Sequence, residues 1–217
     1  MGTNDDKQTR LLTGRALTLE RVVARAAAVD VGEVSIQKTS KGRPVARGVS
    51  LDFNVSHADG LVVVALSSGG AVGVDIERAD RRVGEASESR LAEDVLSEAE
   101  RDWLESVSRA MDRAGEMEFA LARSTALMQM WTVKEAVMKA TGEGLRRDPL
   151  DVVCSLPSIS RVVEAGGPFI EALKRIDETH STGVDDDIPA AGEWGITVFR
   201  LEESFVGTVA RMDGVRG

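Results

Sequence analysis

Two apolar runs separated by four small residues constrain this chain most. Leu61-Val62-Val63-Val64-Ala65-Leu66 and Ala71-Val72-Gly73-Val74-Asp75-Ile76-Glu77 flank Ser67-Ser68-Gly69-Gly70. Short runs rich in valine, leucine and isoleucine and bounded by serine and glycine read as strands, and the turn between them predicts a hairpin. The second run ends on two charges. Asp75 and Glu77 alternate with Val74 and Ile76, so on a strand both carboxylates leave the same face, with backbone positions about 6.6 to 7 Å apart. Charges that follow so apolar a pair of strands need compensation, and a shared cation supplies it.

A second motif completes the set. Trp131-Thr132-Val133-Lys134-Glu135-Ala136-Val137-Met138-Lys139-Ala140-Thr141-Gly142-Glu143-Gly144-Leu145 reads as a helix that places Glu135 and Lys139 one turn apart, with Val133, Val137 and Ala140 as the opposing apolar stripe. Gly142 is placed to end it as a left-handed cap. Asp75, Glu77 and Glu135 form an all-oxygen, hard ligand set, which suits Mg2+ or Mn2+ better than zinc and leaves coordination positions for phosphate oxygens. Lys139 beside them is placed to hold one more. The residues point to divalent-metal chemistry on a phosphate ester.

Elsewhere, Leu12, Ala16, Leu19, Val23 and Ala26 are spaced by three and four, which predicts a helix from about Asp6 to Ala28 with capping candidates at Asn4 to Asp6. Extended segments are expected near Glu33 to Gln37 and Leu51 to Val55, and a connector over Arg78 to Arg90. Ser97 with Glu100 forms a capping box that opens a helix through about Val107. A longer helix is expected over Glu116 to Thr141, and strands at Leu150 to Leu156, Glu193 to Leu201 and Phe205 to Arg211, with an acidic loop at Asp185-Asp186-Asp187.

The net charge of −9 argues against broad binding to nucleic acid or to an anionic membrane, so any negatively charged cofactor must be held locally. No apolar run is long enough to span a bilayer. Cys154 is the only cysteine, which excludes an intramolecular disulfide and a thiolate zinc site. Met1 to Asp6 lacks the features of a signal peptide, and a cytoplasmic protein is expected.

Taken in order, Gly42-Arg43-Pro44, Phe53-Asn54-Val55-Ser56-His57, Gly73-Val74-Asp75-Ile76-Glu77 and the Trp131 to Leu145 motif resemble the 4'-phosphopantetheinyl transferases, in the larger pseudodimeric class that includes the surfactin-synthetase activator. The resemblance runs from about Arg10 to Leu156, with fainter echoes from Trp194 to Ala210. It implies an α+β fold of two pseudo-symmetric lobes, each a small mostly antiparallel sheet on a long helix. The lobes would span residues 1–70 and 71–217, with coenzyme A in the cleft between them and the active site at their interface.

By that resemblance, Asp75, Glu77 and Glu135 ligate magnesium, with manganese as a substitute. His57 binds the 3'-phosphate of coenzyme A with help from Ser56, and Arg10 and Arg43 grip nucleotide phosphates. Lys139 stabilises charge on the leaving 3',5'-ADP as the serine of an apo acyl or peptidyl carrier protein attacks. The base is either Glu135 or a metal-bound water beside Asp75. The partners implied are the carrier and coenzyme A, with no nucleic acid or membrane, and the protein is expected to act as a monomer. Two other readings use the same residues: a binding module that has lost transfer, and a magnesium-dependent phosphohydrolase. One departure from the family pattern is expected. A helix that starts near Asp6 leaves no place for the strand that usually precedes it, so the first lobe reads as shortened at its start and its hold on coenzyme A as weakened.

Overall fold

The computed structural model describes residues 9–14, 19–79, 85–111, 116–152, 194–201 and 204–212. In chain order the elements are β1 (Thr9–Gly14), α1 (Leu19–Ala27), β2 (Ser35–Lys38), β3 (Pro44–Arg47), β4 (Asp52–Ala58), β5 (Leu61–Ser67), β6 (Val72–Arg78), α2 (Glu85–Val95), α3 (Glu98–Met111), α4 (Glu116–Thr141), β7 (Trp194–Leu201) and β8 (Phe205–Met212). They form three antiparallel sheets, ordered β1-β5-β4, β2-β3 and β6-β8-β7. The α+β class expected from the sequence is the one observed.

The continuous apolar run of β5 is explained by burial on both faces. Leu61, Val63 and Ala65 join Val72, Val74, Ile76, Phe199, Phe205 and Val209 in a core between the two larger sheets. Val64 and Leu66 face the other way and pack with Phe53 and with Val22, Val23 and Ala24 of α1. In β6 the valines and Ile76 enter the inter-sheet core, so alternation sends Gly73, Asp75 and Glu77 to the opposite face, against α4. A Cβ built on Gly73 would lie 1.9 Å from the Ala136 carbonyl oxygen and 2.5 Å from the Ala140 amide nitrogen. Only glycine allows the helix backbone to cross the strand this closely. Beyond the sheet, Leu96, Leu104, Leu127 and Met130 pack with Val198 and Val206.

The burial of α4 locates the site. From Ser124 to Ala140 every residue is buried except Trp131, Glu135 and Lys139, which are partly exposed. Their spacing of four places them in one stripe along the helix. The helix ends at Gly142, whose φ of +72° is the left-handed cap read from the sequence.

Several expectations are corrected. The helix expected over Asp6 to Ala28 is a strand followed by a shorter helix. β1 pairs antiparallel with β5, from Thr9↔Ser67 to Gly14↔Val62, and α1 begins at Leu19. Long-range pairing overrides the helical spacing here, and a glycine inside a helix would have cost about 1 kcal/mol. A strand therefore does precede the first helix. The predicted hairpin of β5 and β6 is absent, because β5 pairs with β1 and β4 while β6 pairs with β8, so residues 68–71 carry the chain from one sheet to the other.

The expected connector contains α2, which starts at Glu85. Within the expected strand Leu150 to Leu156, Pro149–Asp151 form a single helical turn, and everything from 153 to 193 lies outside the described residues, including Cys154, His180 and Asp185-Asp186-Asp187. The capping box forms as read, with the Ser97 amide donating to Glu100 Oε2 at 2.7 Å and the Glu100 amide to Ser97 Oγ at 3.4 Å.

Candidate active site

Asp75 and Glu77 rise from β6 beneath the open stripe of α4, and the fold thereby brings together the acids that the sequence separates. Asp75 is 3% exposed. Lys139 Nζ donates to Asp75 Oδ1 at 2.5 Å and to Ser56 Oγ at 3.4 Å, and stands 3.6 Å from Glu135 Oε2. The Ser56 hydroxyl donates to the same Asp75 oxygen at 2.9 Å and accepts the Ile76 amide at 3.3 Å. Trp131 lies beside the Glu77 side chain and lowers its pKa slightly. Asp75 Oδ2 is buried without a hydrogen-bond partner.

All three acids are held above their ordinary pKa. Burial is the main cause for Asp75, partly offset by Lys139 and by hydrogen bonds from Ser56 and the Ile76 amide. Glu77 is pushed up to about 7, first by burial and then by the charge of Asp75, with Lys139 pulling back and Glu135 adding repulsion. Glu135 is raised by burial, lowered by Lys139 and raised again by Asp75. The cluster holds more negative charge than one ammonium neutralises.

This has a consequence for stability. A carboxylate whose pKa is raised by folding binds a proton that the unfolded chain has released, so stability falls as pH climbs between the two values. For Glu77 that window runs from about 4.5 to about 7. Discounted for its half-exposed position, the loss should be about 1–2 kcal/mol across that window in metal-free buffer. Urea unfolding at pH 5, 6, 7 and 8 should show the decline, and Glu77→Gln should flatten it.

Among the described residues no three His, Cys, Asp or Glu side chains are already gathered as a ligand cluster, and the Lys139 ammonium bridges Asp75 and Glu135. The chemistry of the donors nevertheless fits a hard divalent cation. Three electrostatically coupled carboxylates with raised pKa values, one carrying a buried oxygen with no partner, are groups that a cation would relieve.

The remaining predicted residues are placed as follows. Ser56 and His57 are neighbours on β4 and so point to opposite faces, Ser56 buried against Asp75 and His57 exposed. Arg43 bonds Asp52 Oδ2 at 2.5 Å and the carbonyls of Val72 and Ala140 at 3.0 and 3.1 Å, tying the β2–β3 region to β6 and to the end of α4. Arg10 lies on β1 opposite Leu66. Lys134, given no firm role from the sequence, is fully buried. It bonds Glu100 Oε2 at 2.9 Å and the carbonyls of Pro149 and Val152 at 3.0 and 2.5 Å.

Sequence reasoning missed Trp131 as a neighbour of Glu77. It also missed Thr132 and Thr208, whose hydroxyls lie 2.9 Å apart and join α4 to β8 directly opposite Asp75. Thr208 carries no local signal. Asp52, Asn54 and Ser56 alternate along β4, but the role of that alternation depends on what lies beside it and was not read from the sequence.

Known proteins resemble this chain over most of its length. Residues 71–191 match the 4'-phosphopantetheinyl transferase superfamily, and residues 2–69 match the N-terminal family described as 4'-phosphopantetheinyl transferase. An L-aminoadipate-semialdehyde dehydrogenase-phosphopantetheinyl transferase of Schizosaccharomyces pombe is 27% identical over 174 residues, covering 74% of this chain and 62% of the relative. The Xenopus laevis protein of the same name is 29% identical over 196 residues, covering 87% and 60%. The 4'-phosphopantetheinyl transferase gsp of Aneurinibacillus migulanus is 30% identical over 112 residues, covering 52% and 40%. The chain thus spans less than two thirds of the length of these curated relatives.

Proposed function

We propose, for a chain that belongs to the 4'-phosphopantetheinyl transferase superfamily, that it moves the 4'-phosphopantetheine group of coenzyme A onto a serine of an apo acyl or peptidyl carrier protein and releases 3',5'-ADP. The observation that carries this reading is the open stripe of α4 between Ser124 and Ala140, formed by Trp131, Glu135 and Lys139 and set over Asp75 and Glu77. Over that span a buried stretch of helix opens to a carboxylate and an ammonium where two more acids lie below.

Asp75, Glu77 and Glu135 would hold the magnesium ion, for which manganese can substitute, and the bound ion would neutralise the pyrophosphate of coenzyme A. Glu135 is partly open and its pKa is raised, so it suits the general base that takes the proton of the carrier serine. The serine oxygen then bonds to phosphorus, and the bond from phosphorus to the leaving 3',5'-ADP breaks with its electron pair on the departing oxygen. Lys139 stabilises that charge. By the family resemblance the exposed His57 would meet the 3'-phosphate and Arg10 the nucleotide phosphates, while Arg43, already bonded to three protein acceptors, would act as a strut. Two pseudo-symmetric lobes with coenzyme A between them, acting as a monomer in the cytoplasm, complete the reading. The binding-module alternative drew its support from a missing first strand, and β1 removes that support.

Release of 3',5'-ADP from coenzyme A and Mg2+, followed with and without an apo carrier protein, separates transfer from hydrolysis. Release should require the carrier. Equal release in its absence would overturn the proposal in favour of a phosphohydrolase.

A further inference from the structure

The outer edge of β6 is satisfied by side chains where a strand would be expected. β6 pairs only with β8 among the described residues, yet its alternate amides are met from β4. Val72 donates to Asp52 Oδ2 at 2.8 Å, Val74 to Asn54 Oδ1 at 3.0 Å and Ile76 to Ser56 Oγ at 3.3 Å. Each rung advances two residues on both strands. The intervening residues of β4, Phe53 and Val55, pack into the α1 core on the other face. Arg43 adds a contact to the Val72 carbonyl from the same side.

We propose that Asp52, Asn54 and Ser56 are a side-chain ladder that stands in for a neighbouring strand and fixes the register of β6 against β4, and that its last rung, Ser56, is a positioning residue for Asp75. The register matters because a slip of one residue turns Asp75 to the opposite face, and a slip of two moves it about 7 Å along the strand. Ser56 joins the two functions in one hydroxyl, which accepts from the Ile76 amide and donates to Asp75 Oδ1. With both its donor and its acceptor used inside the protein, the hydroxyl serves the acid cluster and not the nucleotide phosphate. This last assignment rests on the proposed transfer reaction, whereas the ladder itself does not.

Two experiments test it. In amide hydrogen exchange followed by NMR, Asn54→Ala should speed exchange at Val74 about tenfold, while the amides of β8 change less. For Ser56→Ala, the preference for coenzyme A over 3'-dephospho-coenzyme A should stay unchanged, while Mn2+ affinity, measured by calorimetry without any substrate, falls about tenfold. Ser56→Thr, which keeps the hydroxyl, should restore it. Unchanged exchange at Val74 would overturn the ladder. A collapse of the coenzyme preference with Mn2+ affinity intact would overturn the role of Ser56. Should no carrier accept the group, the transfer reading fails, and the exchange and Mn2+ results still decide the ladder.

Discussion

A Glu135→Gln protein should transfer phosphopantetheine about 10²- to 10⁴-fold more slowly than the parent, the range expected when a general base is removed. The substitution keeps the shape of the side chain and its place on α4. It removes an acid that burial and the charge of Asp75 hold above its ordinary pKa, so thermal stability should hold or rise slightly. That combination discriminates. A residue needed only for packing would lose stability and activity together, whereas Glu135 should lose activity alone, read from the initial rate of carrier modification beside the thermal melt. Lys139 offers the complementary test. Its ammonium is the nearest compensating charge in the cluster, and Lys139→Ala should reduce both stability and rate.

Lys134→Ala is expected to give the largest loss of stability, about 3–5 kcal/mol, because it removes the compensating ammonium from beside a buried carboxylate. The lysine and Glu100 side chains are 0% and 1% exposed. The same ammonium takes the carbonyls of Pro149 and Val152, so its loss also frees the segment after α4 from the helix. Urea titration should show the shift, and a double-mutant cycle with Glu100→Gln should recover part of it, since the pair is coupled. A loss below about 1 kcal/mol, the value of an exposed pair, would show that the ion pair does not form in solution. Lys134 and Glu135 are adjacent in sequence and differ by about 100° around the helix, which is why one is sealed in the core and its neighbour faces the site.

The sequence made the acids of the site legible because charge stood out against its surroundings. Asp75 and Glu77 end an apolar strand, and Glu135 and Lys139 sit one turn apart on a helix whose limits were read correctly, from Glu116 to Thr141. The partners of β5 and β6 were not legible. Four small residues between two apolar runs describe a hairpin and a crossover between sheets equally well, and the difference lies in β1 and β8, which are remote in the chain. The first helix was misread for a similar reason: the spacing of Leu12 to Ala26 suits a helix, while pairing with β5 recruits Thr9–Gly14 as a strand. The polar ladder on β4 was not read from the sequence, because only the structure shows that the neighbour it addresses is the edge of β6.

The central claim is that this arrangement of acids and Lys139 transfers phosphopantetheine to a carrier. Intact mass spectrometry tests it most directly, with an apo fatty-acid, polyketide or nonribosomal-peptide carrier incubated with the protein, coenzyme A and Mg2+. A carrier that gains one phosphopantetheine with the parent protein, and gains none with Glu135→Ala or with EDTA present, is the predicted result. No gain on any of the three carriers, from a protein shown to be folded, would contradict the account.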